Sequence, residues 1–198
     1  MPTNRKEIYL TFDDGPHPEI TSFVLDELDK FKAKASFFCI GKNVVENKQT
    51  YDQIILKGHT IGNHTYNHYN GWRLSNEEYL NDVREASSVI DSPLFRPPYG
   101  RIRKSQAKKI PEAINKQNTR IIMWDVLSGD FDTSISKEQC LHNVISNAGN
   151  GSIIVFHDSE KANKLLQYAL PRVLENFAEK NYEFQNLSAL IKNDEAER

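Results

Sequence analysis

His64 and His68, in the run Asn63-His64-Thr65-Tyr66-Asn67-His68, can point both imidazoles at one place if they share a helical turn. One carboxylate from elsewhere would complete a His₂–carboxylate set. Such a set holds catalytic zinc or another divalent ion and leaves a coordination position open for water. The adjacent acids Asp13 and Asp14 could supply it. Neighbouring side chains diverge, so one can ligate while the other faces the water as a general base. Arg96 stands before the rigid turn Pro97-Pro98-Tyr99-Gly100 and is costly to bury without a carboxylate; Asp13 is the natural partner and Asp125 the structural alternative. His157 follows the apolar run Ile153-Ile154-Val155-Phe156, as an acid–base group or as a structural histidine paired locally with Asp158. Taken singly, each feature has an ordinary explanation: solvated histidines, a helix-capping acidic turn, a buried ion pair.

What raises their weight is the order of elements that must carry them. Residues 7–12 read as a first strand, followed by a turn and a helix spaced by Ile20, Phe23, Val24, Leu28 and Phe31. Residues 35–40 form an apolar second strand; a helix then runs to Lys57, with Gly58 as its stop. A short third strand over 59–63 leads into a helix opened by the capping pair Ser75 and Glu78. The fourth strand is 94–96, a helix bent or broken by Pro111 fills 103–117, and the fifth strand is 119–124. Ser136 and Gln139 cap a further helix, a sixth strand spans 151–156, and a long helix near 160–180 precedes a weak strand at Tyr182. Strands alternating with helices predict a parallel sheet, and about seven such units point to a barrel. Asp13, Asp14, His64, His68, Arg96, Asp125, Asp130 and His157 would then gather where strands end, on one face.

A chain of 198 residues, 38% hydrophobic and 26% charged, suits one domain over residues 1–198 with a substantial core. Its formal charge of −2 gives no general attraction to nucleic acid or anionic membranes. No apolar run approaches the roughly 20 residues of a membrane span. Met1-Pro2-Thr3-Asn4-Arg5-Lys6 has no signal-peptide core, which places the chain in the cytoplasm as written and outside the cell if a leader precedes it. Cys39 and Cys140 are expected to be free thiols, and a monomer is expected.

Three segments resemble the first three motifs of the polysaccharide deacetylases, carbohydrate esterase family 4, also called the NodB homology domain. They are Thr11-Phe12-Asp13-Asp14-Gly15-Pro16, Asn63 to His68, and Arg96-Pro97-Pro98-Tyr99-Gly100. Trp124-Asp125 through Asp130-Phe131 and Val155-Phe156-His157 resemble the fourth and fifth, in family order. The resemblance implies a distorted (β/α)₇-type barrel that removes N-acetyl groups from amino sugars of a peptidoglycan- or chitin-type glycan. It implies Zn²⁺, or another divalent transition metal such as Co²⁺, on Asp14, His64 and His68. Asp13 would be the base, Arg96 its support, His157 the acid tuned by Asp130, and the Tyr99 N–H an oxyanion donor. Tyr99, Trp124, Phe131 and Val155 would contact substrate; the family usually has tryptophan at the position of Phe131 and leucine at that of Val155. Competing readings are an O-acetyl esterase on a xylan-type glycan, a hydrolase of a small non-sugar amide, and an inactive glycan-binding module. Loss of Asp13 or His157 would favour the last, and both are present.

Overall fold

The computed structural model describes residues 6–188. The first strand, β1 (Glu7–Asp13), is buried along nearly its whole length because neighbours cover both faces. Helix α1 (Pro18–Lys30) starts with proline in its first turn, and the His17 ring accepts from the Ile20 N–H at 3.4 Å. Next come β2 (Ala35–Cys39), α2 (Gly41–Glu46), α3 (Lys48–Leu56) and β3 (Thr60–Asn63). The single helix expected up to Lys57 is therefore two, divided at Asn47, while Gly58 closes α3 in the left-handed region at φ 76° as expected. Helix α4 (Asn76–Ser87) carries the anticipated capping box, Ser75 and Glu78 each satisfying the other's backbone N–H.

Beyond β4 (Leu94–Phe95), the helix expected over 103–117 is two short pieces, α5 (Lys104–Ala107) and α6 (Ile110–Ile114). Pro111 sits in the first turn of α6, where its missing N–H costs nothing. The fifth strand is also shorter than expected, reduced to β5 (Arg120–Ile121). A separate strand absent from the sequence reading, β6 (Val126–Leu127), follows it. Helix α7 (Lys137–Ile145), β7 (Ile153–His157), α8 (Asn163–Glu179) and β8 (Glu183–Phe184) complete the order.

Among the described residues all strand pairs are parallel, in the order β5-β4-β3-β2-β1-β7-β6, with β8 beside the start of β1. The sheet curls into a half-barrel backed by helices: the parallel barrel expected from the alternation, in the distorted (β/α)₇ form that the family resemblance implies. Phe12 stacks on Phe37 at 5.0 Å and on Phe156 at 6.1 Å, a layer that ties β1, β2 and β7 together. Burying one such ring contributes about 1.5–3 kcal/mol. Leu166, Leu170, Val173, Leu174 and Phe177 form the buried stripe of α8. Cys39 and Cys140 are buried free thiols, and among the described residues no helix is long and apolar enough to cross a membrane.

Candidate active site

Register fixes which side chains meet. Asp13 at the end of β1 lies opposite His157 at the end of β7, and Asn63 at the end of β3 opposite Phe95 at the end of β4. The next residues, Asp14, His64 and Arg96, therefore emerge together at the C-terminal edge of the sheet. A cavity of about 880 Å³ opens there, lined by Asp13, Asp14, His64, His68, Tyr99 and His157 among others.

Arg96 is wholly buried beneath this floor. Its Nη1 donates to Asp13 Oδ1 and to Thr11 Oγ1, both at 2.7 Å; Nε donates to the Ile122 carbonyl at 3.1 Å. The guanidinium also lies 4.1 Å from the Phe38 ring centroid. Asp13, not Asp125, is thus its carboxylate partner. Asp125 is in fact at the other end of the barrel: it precedes Val126, which pairs with Ile154, and its carboxylate accepts from the Ile153 N–H at 2.8 Å. The expectation that Asp125 joins the strand-end cluster fails because β6 begins after it.

Asp14 Oδ1 lies 3.2 Å from His68 Nε2 and 3.7 Å from His64 Nε2, and Asp13 Oδ2 lies 3.9 Å from His64 Nε2. One donor atom from each of Asp14, His64 and His68 falls within 4.8 Å of the others, as three ligands of one ion require. Two details fit a cation there. Asp14 Oδ1 is buried without a hydrogen bond of acceptable geometry. His64 Nδ1 is 2.7 Å from the Arg96 carbonyl, which can only accept, so Nδ1 carries the proton and Nε2 offers its lone pair to the site. Burial pushes His64 down to about 4, against the pull of Asp13, so it is neutral near pH 7. Burial alone would raise the Asp14 carboxyl; the His68 contact and the nearby imidazoles outweigh it and hold the group well below the usual carboxylate range.

The histidines converge without the helical turn assumed from their spacing. They lie in a loop after β3 whose bends place Thr65 at φ 64° and His68 at φ 58°. That loop is pinned from α4: Asp82, itself buried, accepts from the Tyr66 and Asn67 N–H groups at 3.2 Å and from Asn67 Nδ2 at 2.6 Å. The Tyr99 ring rests on His68 at 4.6 Å, and Tyr99 itself takes φ 60°. Its N–H stands outside the turn's own hydrogen bonds, which run from Gly100 and Arg101 to the carbonyls of Pro97 and Pro98.

Opposite, His157 Nδ1 is 2.8 Å from Asp130 Oδ1, while the His157 N–H donates to Asp130 Oδ2 at 2.7 Å. Burial works against the imidazolium, but Asp130 prevails and raises His157 to about 9. The local pairing with Asp158 does not occur. Asp158 is buried and turns away, accepting from the Gly15 N–H at 3.0 Å and from the Thr21 hydroxyl. It clamps the turn that follows Asp14 so closely that a Cβ at Gly15 would lie 2.0 Å from its Oδ2. This tie escaped the sequence reading because nothing local links residue 158 to residue 15. Trp124, Phe131 and Val155 line the cavity, and Leu127, from the unanticipated β6, joins them. The exposed aromatic Tyr69 and the cationic Arg73, Arg101 and Lys161 were also missed. A signal was present in the aromatic and basic residues crowded just after His68.

A buried acid–arginine pair, an Asp–His–His cluster and a histidine bonded to an aspartate thus stand together at the strand ends of a parallel half-barrel. Residues 1–118 match the model of the family described as polysaccharide deacetylase, and the chain belongs to that family, carbohydrate esterase family 4. It is 34% identical over 198 residues to a peptidoglycan-N-acetylglucosamine deacetylase of Bacillus cereus, covering 97% of this chain and 91% of that one. It is 35% identical over 162 residues to a chitooligosaccharide deacetylase of Azorhizobium caulinodans, covering 78% and 75%. The solved structure of the Bc1960 peptidoglycan N-acetylglucosamine deacetylase superposes with a TM-score of 0.87 at 32% identity, covering 96% of this chain and 89% of that one. Other relatives are longer, and this chain spans 58% or 39% of two of them.

Proposed function

We propose that this protein removes N-acetyl groups from amino sugars of a polysaccharide, using a divalent ion held by Asp14, His64 and His68. The observation that carries this reading is the convergence of those donors beside Asp13 Oδ2, with His157 across the cavity. A bound zinc-like ion supplies Lewis acidity toward an acetyl carbonyl and a water of lowered pKa.

The rest is the work of the chain's own groups. Asp13, one oxygen committed to Arg96 and the other facing the cluster, takes the proton of the attacking water. The Tyr99 N–H donates to the oxygen that becomes negative as the carbonyl turns tetrahedral. His157, kept charged by Asp130, gives its proton to the departing amine, otherwise a poor leaving group. Trp124, Leu127, Phe131 and Val155 offer an apolar surface for the acetyl methyl. The family relatives named for peptidoglycan and chitooligosaccharide support an N-acetylated glycan as substrate.

Acetate release from defined N-acetylated oligosaccharides tests the reading, with mass spectrometry locating the sugar attacked. Activity is expected with the metal-loaded protein and not after chelation. Full activity in protein shown to be metal-free, or no acetate from any N-acetylated glycan, would overturn it.

A further inference from the structure

The walls above the proposed catalytic floor differ in charge from the rest of the molecule. The chain has 27 acidic and 25 Lys and Arg residues, yet the cavity's acids are Asp13 and Asp14, both on its floor. Arg73, Arg101 and Lys161 line the rim. Arg73 and Arg101 stand on one side, and among the described residues neither has an ion-pair partner. Lys161, opposite, lies 5.8 Å over the Phe131 ring; part of its charge is answered by Asp132, whose carboxyl it helps hold low after the stronger hydrogen bonds from Ser134.

The arginine wall is also rigid. The Arg101 guanidinium sits 5.1 Å over the Trp72 ring. The backbone beneath is strapped down: Arg103 donates to the carbonyls of Leu74 at 2.8 Å and Trp72 at 2.7 Å, and the buried Gln106 donates to the Gly71 carbonyl at 2.8 Å. Gln106 in turn accepts from the Arg103 N–H at 2.9 Å. Guanidinium groups on a fixed backbone suit planar, two-oxygen anions better than a neutral hydroxylated surface does.

We infer that the groove prefers a glycan whose units next to the acetylated sugar carry carboxylates, read by Arg73 and Arg101 with Lys161 on the far wall. The inference rests on the deacetylase reading for the location of the sugar, and names the charge class of that substrate. The carboxylate can belong to the sugar itself or to a peptide attached to it; the chemistry at the arginines is the same.

Binding separates these cases. Metal-loaded protein, wild type and Asp13→Asn, is titrated with four tetrasaccharides. One is neutral chitotetraose. One alternates N-acetylglucosamine with N-acetylmuramic acid bearing free lactyl carboxylates, the third is its methyl ester, and the fourth carries peptides amide-linked to the lactyl groups. At low salt the free acid is expected to bind about fivefold tighter than its ester, the sum of a few exposed ion pairs. The preference should fade toward about 0.5 M salt, where screening is short-ranged. The double variant Arg73→Gln/Arg101→Gln should bring the acid-to-ester ratio to about one. A preference for the peptide-bearing oligomer alone assigns the carboxylate to the peptide; a preference for the free lactyl oligomer assigns it to the sugar. Equal binding of acid, ester and neutral oligomers, or a preference that survives the double variant, overturns the inference. Acetate is assayed in parallel: a binding preference with no acetate from any oligomer refutes the catalytic reading and leaves standing only the groove's preference for carboxylates.

Discussion

Asp130 grips His157 at two points, one oxygen on the ring Nδ1 at 2.8 Å and the other on the backbone N–H at 2.7 Å. Both ends of the carboxylate are spent on one residue. The ring is thereby fixed in orientation, its Nδ1–H is held by Asp130, and its other nitrogen, Nε2, presents the transferable proton to the cavity.

This grip sets a pH dependence. An acid at position 157 must hold its proton, so turnover should persist up to about 9 and decline as pH rises through that value. Asp130→Asn removes the anion that overcomes burial, and the alkaline limb should move down by about one to three pH units. The sign for stability follows from the same raised value: the pairing stabilises the fold fully below the unfolded pKa near 6.5 and is lost as pH climbs through about 9. Rate profiles of the two proteins on one N-acetylated oligosaccharide are the measurement. An unchanged limb would mean that another group supplies the proton.

His157→Ala should depress turnover of N-acetyl substrates by ~10²-fold or more, the scale of general acid catalysis. An aryl acetate, whose leaving group needs no proton, should suffer much less. Equal losses on both substrates would make His157 a structural residue.

Asp13 and Asp14 are adjacent, yet Asp13 is paired with Arg96 while Asp14 faces the two histidines, and the roles proposed for them differ accordingly. Asp13→Asn should keep the fold and the metal while losing most turnover, because the amide cannot take a proton from water. Asp14→Asn should weaken metal binding itself, since it removes the anionic member of the cluster. Metal content and acetate release on both variants decide the matter. The opposite pattern would reverse the two roles.

Arg96 is a test of buried charge. Arg96→Met leaves the Asp13 carboxylate buried without its cation and should cost about 3–5 kcal/mol in denaturant unfolding. In an Asp13→Asn background the same change should cost clearly less, because no charge is stranded. Equal costs in the two backgrounds would show that Arg96 acts through its packing on Phe38 and its carbonyl contacts alone.

Much of this architecture is local information. The apolar runs of β1, β2 and β7, the Ser75–Glu78 box, the Gly58 stop and the break near Pro111 all follow from periodicity, capping and backbone restriction within a few residues. Because parallel strands end on one edge, the runs of β1 and β7 together with the short strands β3 and β4 sufficed to bring Asp13, Asp14, His64, Arg96 and His157 together. Asp130 arrived too, although the strand thought to deliver it was the wrong one. Other features depended on register between segments remote in the chain. Val126 pairs with Ile154, which turns Asp125 away and puts Leu127 and Asp130 at the site; two residues of strand are too short to leave a periodic signature. The histidine loop takes its shape from Asp82 on α4, and the Asp13–Asp14 turn from Asp158 after β7. Residue types at strand ends therefore announced the chemistry proposed for the site, whereas the ties that orient those side chains and the charge of the groove above them came from tertiary contacts, which no local pattern encodes.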